Sequence, residues 1–183
     1  RSSDLPELCL SPEYWLAQKA SEALEGRVQL SSFVKVEGKI IKPDGKNSFV
    51  LDTGNTRDGL IDIPVIVKDK TERVSPKKIV HEGDVIVSRL RPYLRQMAFI
   101  PAGMFKLMGI ENLYCSTEYY VLRSIDKNCI AWLVMWLLST KIQSLIQSAA
   151  TGGHHPRFGI ELLLESPVEE KYINMLLSDQ ISN

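Results

Sequence analysis

The chain has 183 residues with 22 basic and 22 acidic side chains, so its formal net charge at pH 7 is zero. Hydrophobic residues make up 44% and charged residues 24% of the sequence, which is typical of one globular domain and excludes disordered, collagen-like and low-complexity proteins. The longest apolar run, Cys129 to Leu138, is too short for a membrane-spanning helix, which needs about 20 residues. We therefore expect no membrane partner.

The balance of charge conceals a basic middle region. Residues 35–108 carry 14 basic and 9 acidic side chains, whereas residues 1–34 carry 3 and 5 and residues 109–183 carry 5 and 8. Such a region attracts nucleic acid if its cations share one face of the fold, and the alternative is that they are ordinary solvated surface residues.

The three cysteines are odd in number and form no CxxC pair; they are Cys9, Cys115 and Cys129. This pattern predicts reduced thiols and a cytoplasmic protein.

The first predicted element in chain order is a helix over residues 12–25. Ser11 supplies a capping hydroxyl, Pro12 a first-turn proline and Glu13 an early carboxylate. Good helix formers follow as far as Gly26, which ends the helix. Residues 1–26 are therefore predicted to be a helical lead-in.

From Val28 onward the pattern changes to short β-branched and aromatic stretches separated by turn residues. The predicted strands are VQLSSFVKV, SFVLDT, LIDIPVIVK, DVIVS, QMAFIPA and EYYVLRS. Because no helical crossover separates these strands, we expect an α+β fold with a strongly bent antiparallel or mixed sheet and packed helices.

Helical periodicity returns after Asn128. Apolar residues recur at three- and four-residue steps from Ile130 to Ile146, which predicts one long helix that ends at TGGHHPRFG. A final helix is predicted from the stripe of Val168, Tyr172, Met175 and Leu176, and we expect this helix to lack a partner within the chain.

Motifs for catalysis and metal binding are missing from the sequence. It contains no P-loop, no GxGxxG, no GxSxG elbow and no HExxH. His154 and His155 are adjacent, and together with His81 they offer no helical pair at the spacing of a zinc site. We expect no catalytic residue, no metal and no cofactor.

Three connecting segments carry the candidate binding residues. In SRLRPYLRQ at 88–96, arginine forks suit phosphate or guanine and the tyrosine suits stacking, and ATGGHHPRFG at 150–159 suits a backbone phosphate. In DTGNTRDG at 52–59, asparagine is a residue type that reads adenine. Each segment has an ordinary alternative: surface ion pairs, a glycine-rich helix end and a plain turn. The predicted DNA-binding residues are Asn55, Thr56, Arg57, Arg89, Arg91, Tyr93, Arg95, Thr151, Gly152, His154, His155 and Arg157.

Taken in order, these elements resemble the target-recognition domain of a type I restriction-modification specificity subunit. The resemblance covers about 27–175, and its matching parts are VQLSSFVKVEGK, LDTGNTRDG, HEGDVIVSRLRPYLRQMAFIP, CSTEYYVLRS, the long apolar helix and SLIQSAATGGHHPRFGIELLLESPV. Its most specific parts are the block at 83–95, the strand with Ser116 and Thr117, and the alanine-glycine-proline loop that leads into the Leu…Ser-Pro exit.

The resemblance implies a non-catalytic domain at 27–165 that binds double-stranded DNA and reads one half of a bipartite site. It also implies a spacer helix that begins within 166–183 and mediates dimerisation, and methyltransferase and restriction subunits as partners. With one such domain instead of the usual two, the chain is expected to be a fragment, a half-subunit that dimerises, or the recognition part of a methyltransferase or nuclease fusion. An enzyme and a protein-binding scaffold remain the rival interpretations.

Overall fold

The computed structural model describes residues 28–43, 47–62 and 75–181, with side chains in the last helix as far as Met175. The helix predicted over 12–25 lies outside these residues, as does the greater part of the strand predicted at LIDIPVIVK. Within the described ranges, no helix combines the length and the apolar character that a bilayer crossing requires.

Ten short strands and five α-helices form the described structure. The strands are β1 (Val34–Glu37), β2 (Ile40–Ile41), β3 (Ser48–Leu51), β4 (Thr56–Arg57), β5 (Leu60–Ile61), β6 (Lys77–Val80), β7 (Val85–Ser88), β8 (Met97–Phe99), β9 (Asn112–Cys115) and β10 (Tyr119–Ser124). The helices are α1 (Met104–Met108), α2 (Trp132–Leu138), α3 (Thr140–Ser148), α4 (Glu161–Leu164) and α5 (Glu170–Ile181).

The strands form two four-stranded sheets and a small hairpin. The first sheet has the order β1-β10-β7-β8 and is antiparallel throughout. The second has the order β2-β6-β9-β3 and is mixed, because β3 runs parallel to β9. β4 and β5 pair as the hairpin. The expected α+β class with antiparallel and mixed sheets is thus confirmed, with the strands divided between two sheets.

The first sheet lies between two hydrophobic cores, and the alternation of its side chains explains why. Val85 and Val87 of β7 belong to a core shared with the helices, whereas Ile86 between them belongs to a core shared with the second sheet. Successive residues of a strand point to opposite faces, so a strand covered on both faces is apolar throughout. All four residues of β7 are buried, and the fold therefore holds the end of β7 rigidly.

The prediction of a single long helix after Asn128 is wrong, because the helix is interrupted at Ser139, which separates α2 from α3. Ser139 has the extended ψ of 145°. Its hydroxyl donates to the Trp136 carbonyl at 2.6 Å and accepts from the Ile142 amide at 3.4 Å. A serine that bonds the backbone in this way competes with helical hydrogen bonds and caps a new helix.

The last helix is present as predicted, but its first turns pack against the core of the chain. Tyr172 and Ile173 of α5, and Val168 just before it, are all buried in the core shared with the helices. The Tyr172 ring lies 6.4 Å from the Trp132 ring of α2, centroid to centroid. Met175 is 38% exposed, so the apolar stripe emerges from the core at that point.

Several elements were not predicted from the sequence. These are α1, α4 and the strands β2, β4, β6 and β9. Most are strands of two to four residues, which is too short for a period of two to be recognised. The sequence in β6 and β9, KKIV and NLYC, also mixes polar residues with the apolar ones.

Candidate nucleic-acid interface

The arginine-rich segment begins where the buried strand β7 ends. Ser88 is 3% exposed, and its hydroxyl accepts from the Leu90 amide at 3.2 Å. Arg91 and Arg95 then flank a 3-10 helix at Pro92–Leu94, and both have left-handed backbone conformations with φ of 47° and 52°. Few residues other than glycine and asparagine occupy this region, because the Cβ crowds the backbone.

The glycine-histidine segment is a closed loop. The backbone groups of Thr151 and Arg157 bond each other twice, at 2.9 and 2.8 Å. Gly152 has a φ of 106°, and a Cβ there would lie 3.3 Å from the His155 carbonyl oxygen. Both observations explain why glycine stands at this position. The tip of the loop, including His154 and His155, is exposed.

Hydrogen bonds join these two segments into one surface. The Arg91 amide donates to the Pro156 carbonyl at 2.8 Å, and the Phe158 amide donates to the Arg89 carbonyl at 3.3 Å. Nη2 of Arg91 lies 3.0 Å from Nδ1 of His155. Since arginine only donates, Nδ1 is the acceptor in this contact.

A carboxylate that the sequence reasoning missed lies between two of the arginines. Oε2 of Glu118 accepts from Nε of Arg89 and from Nε of Arg157, each at 3.0 Å, and Oε1 accepts from Nη2 of Arg157 at 2.9 Å. These bonds, with that of Arg157 first, lower the pKa of Glu118 to about 2. Glu118 is therefore ionised throughout the physiological range.

The third segment meets the arginine-rich segment from its other side. Asp58 and Gly59 connect β4 to β5, and both have positive φ, of 52° and 88°. This is the backbone of a two-residue hairpin turn, for which Asp-Gly is a favoured pair. The Asp58 amide donates to the Arg95 carbonyl at 2.9 Å, and Oδ1 of Asp58 lies 2.8 Å from Nε of Arg95.

Two of the predicted residues in this segment have structural contacts. Thr56 is 2% exposed, and its hydroxyl lies 2.6 Å from the Tyr119 hydroxyl, so the structure places it beneath the surface. Asn55 completes a capping box: its Oδ1 accepts from the Asp52 amide at 2.9 Å. Arg57, in contrast, has a side chain that is 83% exposed.

The structure thus brings all three predicted segments together. We call the exposed part of 52–62, 88–96 and 150–158, together with Glu118, the three-segment surface. It contains five arginines and four carboxylates: Arg57, Arg89, Arg91, Arg95, Arg157, Asp52, Asp58, Asp62 and Glu118. Its charge is close to balanced. Asp58 and Glu118 were not predicted, although the Asp-Gly pair was a readable turn signal.

No group of three or more histidine, cysteine, aspartate or glutamate side chains lies close enough to hold a metal ion in the described part of the chain. Cys115 of β9 is fully buried, and burial raises the pKa of its thiol to about 12. A thiol with so high a pKa is a poor nucleophile at neutral pH.

Comparison with known proteins gives matches at the level of structure. No protein-family model and no curated protein matches the sequence. A chain from the structure "Structural basis underlying complex assembly and conformational transition of the type I R-M system" matches with a TM-score of 0.58 and 20% identity over 85% of this chain. The HsdS subunit from Thermoanaerobacter tengcongensis matches with a TM-score of 0.52 and 21% identity, also over 85%.

This chain spans 41% of the length of each of those two proteins. The similarity establishes the fold, and it agrees with the resemblance to type I specificity subunits that the order of motifs indicates. At 20 and 21% identity it does not transfer the role of any residue.

Proposed function

We propose that this chain contains a sequence-specific DNA target-recognition domain of the type I restriction-modification kind. In this proposal, the domain at 27–165 reads one half of a bipartite site, and methyltransferase and restriction subunits perform the chemistry. The first match comes from a structure of a type I R-M system, which supports association with such subunits by analogy. DNA contact through the three-segment surface is part of the same proposal.

The observation that carries the proposal is the convergence of the three segments. They are up to about a hundred residues apart in sequence, yet direct backbone hydrogen bonds join the central segment to both neighbours: Arg91 to Pro156, and Asp58 to Arg95. A surface that reads DNA needs several cationic and polar groups within one groove-sized area, and connections on a rigid sheet supply that arrangement.

The backbone at Arg91 and Arg95 gives independent support. A non-glycine residue in the left-handed region costs about 1–2 kcal/mol. Such a cost is tolerated where a side chain is needed, and strained residues therefore cluster at functional sites. The Arg95 guanidinium pairs with Asp58, so the left-handed conformation of Arg91 is the one that supports recognition of a ligand.

Exposed side chains identify the residues best placed for contact. Arg57 is 83% exposed in its side chain, and Tyr93 is 55% exposed. An arginine fork can bond guanine bidentately, and a tyrosine ring can contact a thymine methyl or stack. Thr151, Gly152 and His154 are exposed at the tip of the closed loop, where they can approach a phosphate.

The near-balanced charge of the surface fits a reader of bases better than a general binder of phosphates. Binding to any DNA depends on the number of phosphates that free cations neutralise. Because Arg89, Arg95 and Arg157 are paired with carboxylates, little of this sequence-independent affinity is available. Contacts to bases must then supply most of the discrimination between the target sequence and other sequences.

The test is a selection of duplexes from a random pool, followed by binding measurements on the selected and scrambled duplexes over a range of salt concentrations. We expect enrichment of one short sequence and affinity that falls linearly with the logarithm of the salt concentration. An unenriched pool, together with binding that is insensitive to salt, would contradict the proposal.

A further inference from the structure

We infer that Glu118 determines the specificity of the proposed DNA contact by withholding Arg89 and Arg157 from indiscriminate binding to phosphate. This inference rests on the proposed function, and it assigns a role to a carboxylate that lies outside the three predicted segments.

The carboxylate of Glu118 is held firmly in place. The residue stands in the turn between β9 and β10, where its amide donates to the Ser116 hydroxyl at 3.3 Å. Its backbone carbonyl accepts from the Arg89 amide at 2.9 Å. The side chain is only 22% exposed, so the turn and the adjoining strand fix where its two oxygens lie.

Both arginines donate to Glu118 with the same guanidinium N–H groups that could bind a DNA phosphate. Arg157 binds it through Nε and Nη2, which is the bidentate fork that guanidinium forms with carboxylates and phosphates alike. Arg89 binds it through Nε. A DNA phosphate must therefore compete with a carboxylate that is already in place and already ionised.

Other arginines of the three-segment surface keep more of their charge available. Arg57 approaches Asp58 only to 3.7 Å and is 83% exposed. Arg91 has an imidazole, and not a carboxylate, as its side-chain partner. The surface therefore contains two kinds of arginine: those paired with Glu118 or Asp58 at 3.0 Å or less, and those able to contact DNA.

The consequence follows from how specificity is defined. Discrimination is the ratio between affinity for the target and affinity for all other sequences, and it rises when sequence-independent contacts are suppressed. Two free guanidinium groups would strengthen binding to every duplex equally. Glu118 prevents this. Arg157, which Glu118 binds, also donates from Nη1 to the His155 carbonyl of the closed loop at 3.1 Å.

The experiment measures binding of the full 183-residue chain to a fluorescent random-sequence duplex of about 30 base pairs over a series of salt concentrations. We expect Glu118→Gln to bind this duplex at least about threefold more tightly than the wild type. Its log–log salt slope should be steeper by about 0.9 for each arginine that gains a phosphate. Glu118→Gln combined with Arg157→Gln should return part of the way to the wild-type slope.

A matched control is Glu165→Gln, which removes the same charge from an exposed residue outside the three-segment surface. It should leave the slope unchanged. The inference is overturned if Glu118→Gln, folded as judged by its melting curve, binds random DNA no more tightly than the wild type does. A wild-type chain without any salt-dependent DNA binding would overturn the proposed function as well, which distinguishes the two failures.

A second comparison applies if Glu118→Gln does not fold. With Glu118 intact, Arg57→Gln should weaken binding to the random duplex more than Arg157→Gln does, because the Arg57 side chain is 83% exposed whereas the Arg157 guanidinium is bound to Glu118. An effect of Arg157→Gln equal to or larger than that of Arg57→Gln overturns the inference.

Discussion

The guanidinium of Arg91 and the imidazole of His155 meet across two loops that are 64 residues apart in sequence, with Nη2 3.0 Å from Nδ1. Because arginine only donates, Nδ1 of His155 is the acceptor in this pair. The contact places a guanidinium and an imidazole side by side on the three-segment surface.

Two substitutions of Arg91 separate its proposed contribution to DNA binding from its effect on stability. Arg91→Gly should be more stable than Arg91→Ala by about 1 kcal/mol, since glycine occupies the left-handed region without the Cβ cost. Both variants should lose the guanidinium contact, and a base-reading arginine contributes about 1–3 kcal/mol to discrimination. Urea unfolding and binding to the selected and scrambled duplexes measure the two effects. Unchanged affinity and preference in both variants would remove Arg91 from the proposed contacts.

Gly59 is required by the packing of the hairpin turn on α2. A Cβ at this position would lie 2.7 Å from Cγ1 of Val134, and the backbone φ is 88°. We expect Gly59→Ala to lower the free energy of unfolding by about 1–3 kcal/mol. Gly38→Ala is the control, because a Cβ there has no neighbour within 4 Å and no positive φ. Adding Val134→Ala should recover part of the loss, and no recovery would show that backbone strain alone is responsible.

Thr56 is expected to stabilise the fold and to make no contact with DNA. Thr56→Val keeps the shape of the side chain but removes the hydroxyl that lies 2.6 Å from the Tyr119 hydroxyl. A buried hydrogen bond of this kind contributes about 1 kcal/mol, and the change should lower the free energy of unfolding accordingly. The sequence preference in the duplex selection should be unaltered. An altered preference at one base position would show instead that Thr56 contacts DNA.

The ion pairs of Glu118 predict how the free energy of unfolding depends on pH. The pKa of Glu118 is about 2 in the folded chain, compared with 4.5 for an unperturbed glutamate, because Arg157 and Arg89 stabilise the carboxylate. A carboxyl whose pKa is lowered on folding contributes its stability above the unfolded pKa and loses it as the pH falls towards the folded pKa.

The difference in unfolding free energy between the wild type and Glu118→Gln should therefore be constant above about pH 5 and shrink steadily towards pH 2. Chemical denaturation at a series of pH values measures it. A difference that does not vary with pH would mean that the charge of Glu118 adds nothing to stability.

Local sequence patterns predicted several elements correctly. DVIVS and EYYVLRS contain β7 and β10, and Tyr172, Met175 and Leu176 of the stripe near the end of the chain lie in α5. These signals depend on neighbouring residues only, which is why they could be read directly. The residue types of the three segments also indicated where cations and turn residues are concentrated. The break at Ser139 was not predictable, because the apolar period continues through it.

The composition and order of the segments determined the α+β class and the candidate binding segments, since periodicity and side-chain chemistry are properties of the chain itself. Tertiary structure alone decided which arginine pairs with which acid, and that Thr56 is buried against Tyr119. The sequence separations involved are 29 residues for Arg89 and Glu118, 39 for Arg157 and Glu118, and 63 for Thr56 and Tyr119. Such contacts depend on strand order and register, which long-range packing sets and local patterns do not encode.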